Sequence, residues 1–147
     1  MFYRHNSTAS LLGDLKKAKY RYGSTNTADA LHRVRTQMFR SENGNREGVP
    51  DIAILLTDGV SNVNADRTLP EARLAHSEGI AIVGVGISLS DTRELAEVVS
   101  SPSSKFMNLV DNFYDLRGYA PKLLRPLCSG KLQGQHRYCW RDCLRFI

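Results

Sequence analysis

Long apolar segments are missing from this 147-residue chain. Its longest apolar runs, residues 52–56 and 80–87, are much shorter than the roughly 20 residues that a membrane-spanning helix needs. The first residues also lack the apolar core of a signal peptide. We therefore expect no membrane span, and either an intracellular chain or a sequence that starts after the true beginning of its protein.

Cysteine is absent from most of the chain, and the three that occur, Cys128, Cys139 and Cys143, lie in the last twenty residues. Zinc sites usually take four ligands at close paired spacings, and this spacing fits no such pattern even with His136 included. An odd number of cysteines confined to the tail favours disulfide bonds whose partners lie partly outside this chain.

A concentrated basic stripe is also lacking, although the net charge is +5. Only residues 129–147 gather several basic side chains around Tyr138 and Trp140. Basic and aromatic residues together can bind nucleic acid, but this tail matches no nucleic-acid fold. The length suits one domain, so we predict a domain over residues 1–128, a basic cysteine-containing tail after it, and no nucleic-acid partner.

One apolar run organises the rest of the chain. Residues 52–56 have strand length and end abruptly in Thr57, Asp58 and Gly59, which predicts a strand buried on both faces with a carboxylate at its tip. In open parallel sheets, ligands bind beyond the carboxyl ends of the strands. Asp58 is thus either a binding residue for a metal or ligand, or a residue that merely caps a turn.

A hydroxyl-rich loop at residues 23–27 leads into a helix that carries Leu31. Thr25 or Thr27 could cap that helix. A threonine oxygen beside Asp58 could instead help to bind a hard cation, since Mg²⁺ and Ca²⁺ prefer oxygen ligands. The sequence leaves both interpretations open.

Helical and strand patterns alternate along the whole chain. We predict an opening helix whose leucines, Leu11, Leu12 and Leu15, face a core, and a later helix with Pro70 in its first turn. Further strands are expected at residues 80–87 and 106–110, with a helical stretch over 113–127. Between these two strands, Asp91 and Glu94 resemble a capping box at the start of another helix. Such alternation with long connections predicts a doubly wound α/β fold with a mainly parallel sheet.

Three ordered motifs carry a family resemblance: residues 23–31 (GSTNTADAL), 48–59 (GVPDIAILLTDG) and 75–87 (AHSEGIAIVGVGI), followed by Cys128. Together they resemble the von Willebrand factor type A domain, in the subtype of matrilins and non-fibrillar collagens. The resemblance covers the later two-thirds of that domain. It implies an adhesion site for a divalent ion, usually Mg²⁺, in which Thr25 and Asp58 take two of the ligand positions.

The family's first metal loop, Asp-x-Ser-x-Ser, has no counterpart here. The resemblance therefore implies that the first strand and helix are missing, and we expect a fragment, splice form or incomplete gene model. It also implies that the usual partner of Cys128 is absent. One carboxylate and one hydroxyl should bind Mg²⁺ weakly or not at all. The strand at residues 52–57 would expose an unpaired edge, which predicts self-association through that edge.

The favoured function is a non-enzymatic extracellular matrix or adhesion module, secreted as part of a longer precursor, that binds collagens or other adhesion proteins. A sequon at Asn6 is a candidate glycosylation site consistent with secretion. The alternative is an intracellular scaffold with the same fold and no metal. A hydrolase with Asp58 as nucleophile is disfavoured because no activating base lies at a suitable spacing.

Overall fold

The computed structural model describes residues 7–19 and 23–119. Its elements follow one another in the order helix, helix, strand, helix, strand, helix, helix, strand. The helices are α1 (Thr8–Lys16), α2 (Thr27–Arg33), α3 (Ala65–Ser77), α4 (Arg93–Val98) and α5 (Ser103–Phe106), and the strands are β1 (Ile52–Thr57), β2 (Ala81–Ile87) and β3 (Met107–Val110). A π-helical turn (Val34–Met38) extends α2, and a 3₁₀ turn (Ser41–Asn43) follows.

The described strands form one parallel sheet in the order β1-β2-β3. In β1 and β2 the register pairs Ile52 with Ala81 and Thr57 with Gly86. Parallel neighbours need crossover connections, and helices supply them between each pair of strands. The α/β fold with a parallel sheet is thereby confirmed, and each predicted strand begins within one residue of its expected position.

The centre of the core lies between β2 and the helices α2, α3 and α4. It is built from small and branched side chains of these elements and of the turn before β2: Leu31, Ala72, Ala75, Ile80, Ile82 and Val98. Ala53 and Leu55 of β1 pack against this cluster. A second cluster joins Val83 with Leu95, Val99 and Phe106. Within the described part of the chain, no helix is long and apolar enough to cross a bilayer.

Close packing of α4 on β2 depends on a glycine. A Cβ atom at Gly84 would lie 2.6 Å from both Leu95 Cδ1 and Val99 Cγ1. Gly84 thus allows the close approach of a packed helix, whereas a Cβ atom at Gly86 would meet side chains of a loop and of β3, Leu89 and Leu109. At the end of α3, Gly79 has a φ of 83°, a left-handed conformation that glycine adopts without steric cost and that ends the helix.

Two predictions about buried faces are wrong. The α1 leucines do not face a core: Leu11, Leu12 and Leu15 are 43%, 50% and 59% exposed. Strand β1 is not buried on both faces either, because Ile54 and Leu56 are exposed. Alternation along a strand sends these two side chains to the face opposite Ala53 and Leu55, where no described element covers them.

The predicted helix starts also need correction. Neither Thr25 nor Thr27 caps α2; the side chain of Asn26 accepts a hydrogen bond from the Asp29 amide at 3.0 Å instead. Pro70 is the sixth residue of α3, beyond its first turn. The expected helical stretch 113–127 is described only to residue 119, where Leu116 and Tyr119 pack against Val85, Ile87 and Val110.

Candidate functional site

The turn that follows β1 places Asp58 in solvent at the carboxyl end of the sheet. Thr57 organises this turn with its own side chain: its Oγ1 donates to the Gly59 carbonyl oxygen at 2.7 Å and accepts from the Gly59 amide at 3.3 Å. Because Thr57 supplies these bonds, the Asp58 carboxylate is not needed to hold the turn together. The Asp58 side chain is exposed and available to a ligand.

The loop that carries Thr25 lies against the loop that begins at Asp58. The Thr25 amide donates to Asn62 Oδ1 at 2.9 Å, and the Thr25 carbonyl oxygen accepts from the amides of Asn62 and Val63 at 3.0 and 3.2 Å. The structure thus brings together the two loops in which sequence reasoning placed the site residues. The assignment of Thr25 and Asp58 as metal ligands stays a prediction.

A buried polar chain, which the sequence did not reveal, fixes the second of these loops. Glu94 Oε1 of α4 accepts from the amide and from the hydroxyl of Ser61, both at 2.9 Å, and Ser61 Oγ accepts from Thr68 Oγ1 at 3.1 Å. Ser61 and Thr68 are both buried. Glu94 therefore links the loop after β1 to the start of α4. Its hydrogen-bond donor Ser61 lies 33 residues earlier in the sequence.

The predicted capping box between Asp91 and Glu94 is accordingly wrong. Helix α4 begins after Thr92, and the Glu94 carboxylate faces Ser61. Asp91 accepts instead from the amide and the guanidinium of Arg93. The hydrogen bonds from the side chain and the backbone of Arg93 lower the pKa of Asp91 to about 2, because they favour the charged carboxylate.

An apolar cleft of about 200 Å³ opens beside Asp58. It is lined by residues from the ends of β1 and β2 and from the segment after β3: Leu56, Thr57, Asp58, Ile87 and Phe113. Phe113 and Leu56 are 61% and 54% exposed, so the walls of the cleft are accessible. One carboxylate at the rim of an apolar cleft can bind a side chain or peptide that combines an apolar part with a donor or a cation.

The candidate metal ligands that the structure describes are Asp58 and Thr25. No group of three or more His, Cys, Asp or Glu side chains that could hold a metal ion occurs within residues 7–19 and 23–119. Asp58 and the neutral hydroxyl of Thr25 are a sparse oxygen set for Mg²⁺, which demands octahedral coordination and dehydrates reluctantly. These two residues by themselves therefore do not fit a complete divalent-ion site.

A charged cluster between α2 and α3 has a structural role. Glu71 is buried and accepts from Arg35 at 3.1 Å and from Arg67 at 3.4 Å, and His32 Nδ1 lies 3.3 Å from it. Burial acts to raise the pKa of Glu71, but the hydrogen bond and charge of Arg35, together with His32, outweigh it, so that the pKa is lowered. Glu71 is thus a carboxylate that clamps the two helices together.

Asn6, Cys128, Cys139 and Cys143 lie outside the described residues. The glycosylation and disulfide predictions for them therefore remain predictions, as does the domain boundary at residue 128.

A parallel α/β sheet with facing loops and a cleft at the carboxyl ends of its strands defines the class of open α/β ligand-binding domains. Residues 2–120 match the family model of the von Willebrand factor type A domain. The chain belongs to this family, as the three motifs predicted.

Two collagen chains and vitrin are among the relatives with similar sequences. The chain is 37% identical to the collagen alpha-1(XII) chain of Notophthalmus viridescens over 125 residues, which cover 85% of this chain and 13% of the relative. It is 31% identical to the mouse collagen alpha-4(VI) chain over 123 residues, which are 82% of this chain and 5% of that one. Human vitrin is 27% identical over 128 residues, which are 87% of this chain and 18% of vitrin. The chain thus spans less than a fifth of the length of these relatives.

Solved structures agree with the fold. Proximal thread matrix protein 1 of the mussel byssus superposes with a TM-score of 0.71 at 27% identity, over 84% of this chain and 30% of that one. The manganese-loaded TRAP protein of Plasmodium vivax gives a TM-score of 0.58 at 25% identity, over 80% of this chain and 45% of that one. Both likenesses span most of this chain and a minority of the other.

Proposed function

We propose that this chain is an extracellular, non-enzymatic adhesion module that binds collagens or other matrix proteins. The observation that carries the proposal is the exposed Asp58 at the rim of an apolar cleft, beside the Thr25 loop, in a domain whose relatives include collagens VI and XII. Open α/β domains bind their ligands at this end of the sheet.

The cleft supports binding better than catalysis. Its lining offers one carboxylate, one hydroxyl and three apolar side chains. A hydrolase that used Asp58 as nucleophile would need a general base and a stabiliser of developing charge within hydrogen-bonding reach, and the lining provides neither. An apolar wall with an acidic rim instead suits a peptide surface that presents an apolar residue next to a donor.

Metal would contribute little to binding by this chain. A protein of similar fold, the TRAP protein, was solved with manganese, which supports divalent-ion binding as a property of this fold. In this chain Asp58 and Thr25 are the proposed metal-binding residues. They would bind Mg²⁺ weakly, and the proposed contact with matrix proteins therefore uses the apolar cleft and the Asp58 carboxylate directly.

The test combines calorimetry with a binding assay. Titration of Mg²⁺ into the purified full chain should give no measurable binding heat, and the chain should bind immobilised collagen equally in Mg²⁺ and in EDTA. Phe113→Ala should weaken collagen binding about tenfold, because it removes one wall of the cleft. Leu74→Ala is the matched control, since Leu74 is 45% exposed on α3, away from the cleft.

Tight Mg²⁺ binding, or loss of collagen binding in EDTA, would contradict metal-independent adhesion. A chain that fails to bind collagen in either buffer would contradict collagen binding and leave the other matrix proteins or the intracellular scaffold. Mass spectrometry of the natural protein separates the two locations independently. Glycan on Asn6 or a disulfide at Cys128 supports the extracellular module, and an unmodified Asn6 with free thiols supports the scaffold.

A further inference from the structure

The imidazole ring of His76, in the last turn of α3, lies between two main-chain carbonyl oxygens. Its Nδ1 is 3.3 Å from the carbonyl oxygen of Ile80, and its Nε2 is 3.0 Å from the carbonyl oxygen of Val98. Ile80 directly precedes β2, and Val98 is the last residue of α4. One side chain therefore joins the ends of α3 and α4 to the turn before β2.

Both carbonyl groups need a donor from outside their own element. The last carbonyls of a helix have no intrahelical donor, and Val98 lies at such an end. On its other side, β2 pairs with β3 only from Gly84 onward. The amide and carbonyl of Ile82 bond to Ser100 there instead, and Ile80, two residues earlier, points to the same side.

Burial makes these two carbonyls costly to leave without a donor. Ile80 is 3% exposed and Val98 is 1% exposed. A buried carbonyl group without a hydrogen bond loses the free energy of its hydration and gains nothing in return. The ring of His76 is only partly buried, so that protons can reach it from solvent. Its protonation state therefore decides whether both carbonyls are satisfied.

Only the imidazolium ion can donate to both oxygens. A neutral imidazole carries an N–H on one ring nitrogen and a lone pair on the other. Between two carbonyl oxygens, the neutral ring of His76 donates to one and turns its lone pair toward the other. The imidazolium has an N–H on each nitrogen. The position of His76 in the last turn of α3 also favours a positive charge, because the helix dipole is negative at that end.

Nearby charged side chains have other contacts. Within one helical turn of these carbonyls along the chain, the charged residues are Arg73, Glu78, Glu94 and Glu97. Glu78 is paired with Arg35 at 2.9 Å, and Glu94 accepts from Ser61. The other two are exposed. Over the residues that the structure describes, no charged side chain forms a hydrogen bond or an ion pair with His76, and the ring bonds to the two carbonyls.

We propose that His76 is a proton-dependent clamp, in which the imidazolium ion ties the ends of α3 and α4 to the turn before β2. The unfolded chain does not hold two carbonyls beside the ring, so it releases the proton more easily. A proton that binds the folded chain more tightly than the unfolded chain stabilises the fold. This stabilisation is fully present at acidic pH, and it is lost as the pH rises above the range in which an ordinary histidine titrates, about pH 6.5.

The clamp and Glu94 hold opposite ends of α4. Glu94 lies in the first turn of this helix and fixes Ser61 in the loop that carries Asp58, and Val98 is the helix's last residue. Acidification therefore strengthens the attachment of the helix on which that loop depends. The inference goes beyond the proposed adhesion function and is independent of it, because its test measures folding and not binding.

Urea denaturation of the full chain, followed by circular dichroism, tests the clamp at about pH 5.5 and about pH 8, on either side of the ordinary histidine range. His76→Arg keeps a positive charge and several N–H donors at both pH values. Between the two, the unfolding equilibrium constant of the wild type should increase roughly tenfold more than that of His76→Arg, because only the wild type loses a charged hydrogen bond.

His32→Gln is the matched control, since it removes the other histidine that the structure describes. Adding His76→Arg to His32→Gln should reduce the pH dependence by the same roughly tenfold factor as in the wild-type background. Equal pH dependence of the wild type and His76→Arg would overturn the inference, and so would a difference that disappears in the His32→Gln background.

A measurement on the wild type alone keeps the test decisive if a variant does not fold. A long-range ¹H–¹⁵N correlation spectrum shows which ring nitrogens carry a proton. At about pH 7, where a histidine that titrates near pH 6.5 is mostly neutral, both nitrogens of His76 should be protonated. A spectrum in which one of the two nitrogens carries no proton at this pH would also overturn the inference.

Discussion

At the scale of single residues, Glu94 fixes the loop that carries Asp58, although it lies on a different element. It is the shared acceptor for the amide and hydroxyl of Ser61, a buried residue in the loop that carries Asp58 and contacts Thr25 through Asn62. A buried donor that loses its acceptor bears the full cost of desolvation. The conformation of this loop therefore depends on one carboxylate from a neighbouring helix.

Glu94→Ala should destabilise the chain by about 2 kcal/mol, since it leaves two donors of Ser61 without an acceptor. Glu94→Gln keeps an oxygen at the same position and should cost less than half as much. Urea denaturation followed by circular dichroism measures both. Equal losses for the two variants, or a loss below about 0.5 kcal/mol for the alanine variant, would contradict a role as acceptor.

Sequence reasoning could place Thr25 and Asp58 in facing loops because each follows a recognisable pattern at a helix start or a strand end. It could not find Glu94, since the bond to Ser61 joins residues far apart in sequence, and the local spacing from Asp91 indicated a different role. Glu71 illustrates the same limit. Its partner Arg35 lies 36 residues away, and only the packing of α3 on α2 makes them meet.

At the scale of elements, the positions of the strands could be predicted from the sequence. The solvent exposure of side chains on the strands and helices could not. The runs that became β1 and β2 are apolar because sheet residues pack on helices, and this signal is local. Whether both faces of β1 or the leucine stripe of α1 are covered depends on what lies next to them. Periodicity shows that a stripe can be buried, but a stripe is buried only when another element covers it.

The contact of α4 with β2 gives a prediction at this scale. Gly84→Ala should destabilise the chain by about 1–3 kcal/mol, because the added methyl overlaps Leu95 and Val99, which are both buried and cannot move aside freely. The same substitution at Gly13, inside α1 with nothing within 4 Å, should stabilise the chain by about 0.5–1 kcal/mol. Thermal denaturation of both variants should therefore show shifts of opposite sign. A neutral Gly84→Ala would mean that α4 packs less tightly on β2 than these contacts indicate.

At the scale of the whole molecule, the apolar side chains of the described residues differ sharply in burial. Helices α2, α3 and α4 enclose the main cluster with β2, whereas Ile54 and Leu56 of β1 and the leucines of α1 lie outside it. The same type of residue thus has a different energetic role in each region. Leu31 is 3% exposed within the cluster, and Leu12 is 50% exposed on α1.

A pair of identical substitutions measures this asymmetry. Leu31→Ala should cost about 2–5 kcal/mol, because it removes buried methyl groups and leaves a cavity among Ala72, Ala75 and Ile82. Leu12→Ala should change the free energy of unfolding by less than about 0.5 kcal/mol, since half of its side chain is already in water. Chemical denaturation measures both values. A large loss for Leu12→Ala would show that α1 packs against the rest of the chain and that the core extends beyond α2, α3 and α4.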